Sequence, residues 1–500
     1  KDKEINKKAA YASLVLEHKT GKDERIRIVY GGDTQEENPL WTSRNTDMVA
    51  KKLFLNKVVS EGLKFMTLDI KDFYLSEMNT LDSPEYMVLK EKYLPKKYKV
   101  KFQDMISNGQ LLIRLDKTIY GMKQAGYISQ RNLIEILAKN GYEEENYNSI
   151  FTNKEKSVTF VTHVDDFGVG YRDREQVKEL IRVLKDANYT ISEDWEGKKF
   201  CGFEIELNQG KWLDISVRKT IERTVTRFGE FKSRECPYKI SAVKFSKEQL
   251  ETEVDSSPEL TETEKTLLME KVGLTRYIAA AAYPHLELAV GKIAANLSKP
   301  TKDLMEQADH MLGYLQSHPN RVIRYYPSDM IMRAHSDASY GCEADFRCRT
   351  GGFIYMGSSD KDFVNGPIEV ISLVQKNNVT CTAEAEYVAV FDVAQRIAYL
   401  RKLAESLGYP QGTIIIECDN ECAVKLSNNN SHERKLRHVA MRYHWVKDQV
   451  RQGMINVIWR KNVYNLADFA TKRMRTLADY IKGRDAYTVE AGTNELKRKR

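Results

Sequence analysis

At 500 residues, 42% of them hydrophobic, the chain has the length for about three to four domains and enough apolar residues for real cores. Its 78 Lys and Arg against 71 Asp and Glu leave a net charge of +7, too small an excess for a uniformly basic protein, so any nucleic-acid surface has to come from local clusters. Seven cysteines without a C-x-x-C pair argue for reduced thiols in an intracellular compartment and against a zinc site, and the most apolar helical stretch, residues 277–297, is broken by Pro284, His285, Glu287 and Lys292, which excludes a membrane span.

Residues 1–62 alternate charged helix-like and strand-like pieces, and the first residue, Lys1, reads as the start of a piece of a longer precursor or of a trimmed chain. Arg25-Ile26-Arg27-Ile28-Val29-Tyr30 puts Arg25 and Arg27 on one face of a strand with apolar residues opposite. Two guanidinium groups so placed either suit a triphosphate or are an exposed edge-strand pair. Residues 63–70 are a strand pattern ending near Asp69, followed by Asp72, Phe73 and Tyr74. Lys90, Lys92, Lys96, Lys97, Lys99 and Lys101 alternate with Tyr93, Tyr98 and Phe102, as either a surface for nucleic acid or a solvated lysine face. The run Tyr120-Gly121-Met122-Lys123-Gln124-Ala125 leads into an amphipathic helix over 127–139. Residues 157–170 read as a hairpin with Asp165 and Asp166 at its tip. Adjacent acids are common in ordinary turns. With Asp69 on a neighbouring strand, however, three carboxylates can share two divalent ions, which relieve their repulsion.

Further on, Val177, Leu180, Ile181 and Leu184 mark a helix face, and residues 195–205 form a hairpin pattern with Cys201 and Gly202 at its tip. Ile215, Val217, Ile221, Val225 and Phe228 mark the start of a helical segment, 247–265 reads as an acidic linker, and 266–317 as helical and alanine-rich. A second set of acids begins beyond residue 333. Asp337 ends a strand, 350–355 and 369–374 are further strands, and a long helix opens at Thr382. On that helix Glu386 shares its stripe with Ala389, Val390, Val393 and Ile397, whereas Glu384 shares its stripe with Gln395 and Lys402. Glu386 is therefore the core-facing acid, and a buried carboxylate implies a cation. Asp419 ends an apolar strand and Asp468 opens a helix. His438, amid Arg434, Lys435, Arg437 and Arg442, either meets nucleic acid, assists proton transfer or caps a helix; His444, beside Trp445, reads as packed. Residues 476–500 are a polar tail ending in Lys497-Arg498-Lys499-Arg500, a nucleic-acid or nuclear signal or charge with no role.

Taken together these stretches resemble the copia-type (Pseudoviridae) LTR retrotransposon reverse transcriptases with their ribonuclease H domain. The Asp69 strand and the His163-Val164-Asp165-Asp166 tip are similar to the two metal-binding motifs of reverse transcriptases, with His163 where the family has an aromatic or small residue. Ile119-Tyr120-Gly121-Met122-Lys123-Gln124-Ala125 resembles the family's Leu-Tyr-Gly-Leu-Lys-Gln-Ala, although Gly126-Tyr127-Ile128-Ser129 replaces its usual Pro-Arg-Ala-Trp. Ala383-Glu384-Ala385-Glu386-Tyr387 and Asn465-Leu466-Ala467-Asp468 resemble its ribonuclease H elements.

The resemblance implies a multidomain fold of α+β and α/β type: a right-hand polymerase with fingers and palm (1–210) and thumb (211–250), a linker and helical connector (251–330), a ribonuclease H-like domain (331–475) and a basic tail (476–500). It implies RNA- and DNA-templated DNA synthesis with degradation of the RNA in RNA–DNA hybrids. Asp69, Ile70, Asp165 and Asp166 would hold two magnesium ions, and Asp337, Glu386, Asp419 and Asp468 two more, with manganese as a substitute. Arg25, Arg27, Asp72, Phe73, Tyr74, Tyr120, Gly121 and Gln124 would bind the deoxynucleotide, Tyr74 excluding a 2′-hydroxyl; Cys201 and Gly202 would hold the primer end and His438 the hybrid. The implied partners are an RNA template, a DNA or tRNA primer and dNTPs, with no membrane. The implied state is a monomer or homodimer, in a cytoplasmic virus-like particle or the nucleus. The competing reading is a domesticated nucleic-acid-binding or particle-forming protein without catalysis. It predicts eroded acids, whereas all seven are present.

Overall fold

The computed structural model describes residues 9–17, 25–146, 149–153, 155, 157–240, 255–343, 346–360, 363–376, 379–428 and 440–493. They fall into two compact units, Lys1–Thr46 with Met66–Glu196, and Asp47–Phe65 with Gly197–Arg500.

The first unit holds strands β1 (Ala10–Glu17), β2 (Arg25–Tyr30), β3 (Lys64–Lys71), β4 (Thr80–Lys90), β5 (Ile106–Ser107), β6 (Gln110–Lys117), β7 (Glu143–Glu144), β8 (Ile150–Asn153), β9 (Val158–His163), β10 (Asp166–Tyr171) and β11 (Thr190–Asp194). They make a sheet of order β2-β1-β4-β6-β5 and another of order β11-β3-β10-β9-β8-β7. In the second sheet β9 and β10 are central and mostly buried on both faces, so Thr162, Gly168 and Gly170 lie inside along with their apolar neighbours. Helices Ala125–Lys139 and Arg174–Asp186 cover it, bringing Leu133, Leu137, Val177, Leu180, Ile181 and Leu184 into one core with Phe151, Phe160 and Phe167. Phe160 stacks on both other rings, at centroid distances of 5.0 and 5.6 Å. Each buried side chain of this size contributes roughly 1.5–3 kcal/mol. The apolar residues alternating with Arg25 and Arg27 do not turn inward: Ile26 and Ile28 are exposed, because β2 is the edge strand of its sheet.

The second unit holds β12 (Lys199–Phe200), β13 (Phe203–Asn208), β14 (Trp212–Ser216), β15 (Arg321–Tyr325), β16 (Ile331–Ser339), β17 (Arg349–Gly357), β18 (Pro367–Val374), β19 (Ile414–Cys418), β20 (Ile455–Trp459) and β21 (Val489–Glu490). One sheet has the order β12-β13-β14-β15-β21, joined at its centre by the buried pair Asp214 and Arg324, with both contacts at 2.6 Å. Helices Arg218–Phe228, Glu262–Ala281, Glu287–Ala295 and Lys302–Ser317 lie between β14 and β15 in the chain. The other sheet has the order β18-β17-β16-β19-β20, antiparallel on one side of β16 and parallel on the other. Helix Thr382–Ser406 packs on β16 and β17, and helix Met48–Ser60 packs against it; Tyr399 donates to Asp47, the N-cap of that helix, at 2.7 Å.

Several stretches differ from expectation: Ile215, read as the start of a helix, lies on β14 with the helix opening only at Arg218, and residues 262–265, read as acidic linker, are the first turn of helix Glu262–Ala281, capped by Thr261 with Glu264. Residues 477–490, expected within a polar tail, form helix Leu477–Tyr487 and β21, because Tyr480 and Tyr487, seven apart, share one helix face and pack on Phe469. Asp468 lies not in an opening α-helix but in the five-residue 3-10 turn Leu466–Ala470.

Candidate active sites

In the first unit, Asp69 and Asp165 are brought together by the backbone. The N–H of Ile70 donates to the carbonyl of Asp165 at 3.0 Å, setting β3 against the turn that precedes β10. Asp166 is the first residue of β10 and pairs with His163. Val164 in the turn has φ +61°, an unfavourable value for a β-branched residue, and its N–H donates to Asn45 Oδ1 at 3.2 Å. The three acids are all partly exposed at one end of the sheet. Tyr74 packs edge-on against Tyr120 at 5.5 Å, and burial, then the Asp165 charge, raises its hydroxyl pKa. Tyr120 in turn lies 4.6 Å under the Arg27 guanidinium, while Arg25 is exposed. Asp72 adopts a left-handed conformation and Phe73 is buried in the core. Gly121 has φ +92°, and a Cβ there would stand 2.2 Å from the Tyr30 carbonyl, so this loop closes on β2 only with glycine. Gln124 is buried and donates to Glu85 at 3.4 Å.

In the second unit Cys201 and Gly202, both with positive φ, form the tight turn between β12 and β13, and a Cβ on Gly202 would meet the Tyr277 hydroxyl at 2.3 Å. Asp337 projects from the central strand β16, Glu386 from the first turns of helix Thr382–Ser406, Asp419 from just beyond β19, and Asp468 from the 3-10 turn. That turn is held over β16 by Asn465, whose side-chain amide donates to the Ser336 carbonyl at 2.9 Å, and it fits against β17 because residue 351 is glycine; a Cβ there would stand 2.6 Å from the Ala467 carbonyl.

The charges of these acids bear on one another. Burial, then Asp337 and Asp419, push Glu386 up to about 9, and burial pushes Asp337 up to about 7 against the pull of Lys472. Oδ1 of Asp337 and Oε2 of Glu386 are buried without a hydrogen-bond partner among the described residues, which is costly unless another group meets them. Glu386, Cys418 and Asp419 offer ligand atoms within 4.8 Å of one another. Burial, then the Glu386 charge, raises the Cys418 thiol well above its usual range, so the oxygens are the donors, a set that fits a hard divalent ion.

Glu384 is also buried, contrary to the polar side expected for it. Sitting in the first helical turn, it folds back to accept from the N–H and hydroxyl of Thr380 at 2.7 and 2.9 Å, an end effect that a stripe pattern does not register. His444 is exposed rather than packed, while Trp445 meets Phe391 at 5.5 Å. His438, with Arg434, Lys435 and Arg437, lies outside the described residues, as does 494–500. Several site residues were missed by sequence reasoning: Asn462, which donates to Asp419 Oδ2 at 2.9 Å; Thr471, which donates to Asp337; and Lys472, 2.5 Å from Asp468 and 3.6 Å from Asp337. Only Lys472 carried a signal, its spacing of four from Asp468.

The described chain is a mixed α/β, multidomain protein with the fold of the foamy viral protease-reverse transcriptase, solved in complex with dsDNA; the two align over 90% of this chain and 78% of that one, with a TM-score of 0.51 and 12% identity. Its homologues are copia-type retrotransposon Pol polyproteins. The Retrovirus-related Pol polyprotein from transposon TNT 1-94 of Nicotiana tabacum is 23% identical over 85% of this chain and 31% of that polyprotein, the one from transposon RE2 of Arabidopsis thaliana 25% identical over 85% and 28%, and the Transposon Ty1-DR5 Gag-Pol polyprotein of Saccharomyces cerevisiae 22% identical over 94% and 26%. The chain thus spans about a quarter to a third of these relatives. No family model matches it. Among the described residues no helix is long and apolar enough to cross a membrane.

Proposed function

We propose that the chain is an RNA- and DNA-templated DNA polymerase with an attached ribonuclease H, copying a retrotransposon RNA into DNA. The observation that carries this reading is that sequence-distant acids meet at two places: β3, with Asp69, is bonded through Ile70 to Asp165 beside Asp166, and the charges of Asp337, Glu386, Asp419 and Asp468 bear on one another. In this reading residues 1–210 are fingers and palm, 211–250 the thumb, 251–330 a linker and connector, and 331–475 the ribonuclease H domain, to which the helix at 477–487 adds a buttress.

Each cluster would hold magnesium, or manganese in its place, through its carboxylates, with Ile70 beside the first. Such ions supply Lewis acidity that lowers the pKa of the attacking hydroxyl or water and offsets charge on the leaving oxygen. The chain's own residues do the rest. Tyr74, wedged against Tyr120, closes the space beside the sugar; Arg27, held over Tyr120 with Arg25 further out on β2, offers positive charge to a triphosphate. The Gly121 loop brings backbone close to the nucleotide with Gln124 fixed behind it by Glu85. Asp72 and Phe73 set the backbone bend that aims Tyr74. The Cys201-Gly202 turn would position the primer end, and His438 would meet the hybrid. RNA template, DNA or tRNA primer, hybrid and dNTPs are the proposed partners, and a virus-like particle or the nucleus the proposed location.

The test is incubation with a primed RNA template, dNTPs and magnesium. Extension of the primer together with shortening of the hybridised RNA is expected; failure of both would overturn the reading.

A further inference from the structure

The acid cluster of the second unit contains a cation of its own. Lys472 Nζ lies 2.5 Å from Asp468 Oδ1 and 3.6 Å from Asp337 Oδ2. Its backbone is pinned: the N–H of Lys472 donates to the Asp468 carbonyl at 3.2 Å, and two residues on, the N–H of Met474 donates to the Tyr238 hydroxyl at 3.0 Å. The side chain is not pinned in the same way, since 43% of it is exposed. Asp337, by contrast, is fully buried, and its Oδ1, like Oε2 of buried Glu386, meets no hydrogen-bond donor among the described residues. The ammonium thus reaches Asp468 and Oδ2 of Asp337, while Asp337 Oδ1 and Glu386 Oε2 stay without a hydrogen-bond partner among the described residues.

We propose that Lys472 is an exchangeable counter-cation of the ribonuclease centre, which a divalent ion has to displace from Asp468 and Asp337 before that centre is fully loaded. This inference rests on the reading of the cluster as a metal centre. The physical reason is charge: an ammonium within a few ångströms repels an incoming dication, and the two compete for the same oxygens. Because its backbone is fixed and its stem is long and partly solvated, the lysine can swing out without disturbing the turn that carries Asp468. It also makes the ion-free protein tolerable, by relieving repulsion among acids that would otherwise strain the fold. The consequence is that Lys472 sets the ion concentration at which the centre loads.

The test is binding, read apart from activity. Manganese serves as the probe, its free signal followed by electron paramagnetic resonance, in the full chain carrying Asp166→Asn so that the other cluster contributes less. Lys472→Met is expected to bind manganese about tenfold more tightly, from removal of one nearby positive charge in a partly solvated site. Lys472→Arg, which keeps the charge, is expected to bind as the parent does, and addition of Glu386→Gln is expected to erase the gain. Unchanged or weaker binding by Lys472→Met would overturn the role of the lysine while leaving the metal centre standing, provided that Glu386→Gln alone weakens binding. No effect of Glu386→Gln in the parent would overturn the metal centre and the inference with it. Lys472→Gln, nearer in shape and polarity, is read in the same way should the methionine variant not fold.

Discussion

The Ile70 N–H donates to the Asp165 carbonyl across 3.0 Å, and this one hydrogen bond places the strand of Asp69 beside the turn of Asp165 and Asp166, almost a hundred residues later. The bond sets the backbones of Asp69 and Asp165 side by side, with Asp166 next along the chain. Asp166→Asn is therefore expected to reduce primer extension by at least about a hundredfold while leaving hybrid cleavage intact. Extension and cleavage assays on the same preparation check it, and surviving synthesis would refute the assignment.

Glu386 is buried in the other cluster with one oxygen unanswered. Glu386→Gln is expected to remove cleavage and spare extension, since the amide keeps the shape but loses the charge. Equal loss of both activities would mean that the two clusters do not work separately.

Tyr74 stands edge-on to Tyr120 and senses the Asp165 charge. Replacing it with Val opens the space beside the sugar, so Tyr74→Val is expected to raise ribonucleotide incorporation at least about tenfold relative to deoxynucleotides. Unchanged sugar selectivity in single-nucleotide insertion would remove its proposed role.

Gly351→Ala puts a Cβ 2.5 Å from Thr471 Cγ2 and 2.6 Å from the Ala467 carbonyl. Since the backbone is one of the groups that has to yield, the expected cost is about 1–3 kcal/mol of stability, with cleavage lost at temperatures where extension survives. Denaturant titration and the two activity assays check it, and a fully stable, cleavage-competent variant would show that the turn adjusts freely.

Burial raises the Glu287 carboxyl to about 7, against the pull of Arg276 and Lys52. A carboxyl raised above its unfolded value gives stability that is present in full below pH 4.5 and is lost as pH rises through 7. Glu287→Gln is expected to lack that loss, so the variant gains on the parent by roughly 1–2 kcal/mol between these limits, the group being partly exposed. Melting temperatures of both proteins across this range provide the check; parallel curves would place the titration elsewhere.

Much of the architecture was legible in residue patterns. The Val177, Leu180, Ile181 and Leu184 face, the Cys201-Gly202 turn and the buried position of Glu386 follow from periodicity and turn chemistry, which act over a few residues. Helix Met48–Ser60 was not legible, because it is buried around most of its circumference, lysines included, and so carries no stripe. The helix at Leu477–Tyr487 was hidden by its polar composition, since Tyr480, Tyr487 and the bond of Asp485 to buried Arg321 hold it to the core and make no apolar stripe.

By itself the sequence determined which acids were available, that Asp419 follows an apolar strand and that Glu386 lies on the buried face of a helix, and the family to which its motifs point, because these are local properties of short segments. Only the tertiary structure decided that β3 pairs beside β10, that Asn465 and Gly351 seat the Asp468 turn on the central sheet, and that Lys472 enters the cluster. Those relations depend on backbone pairings and close approaches between segments far apart in the chain, and no local pattern encodes the distance at which two charges finally meet.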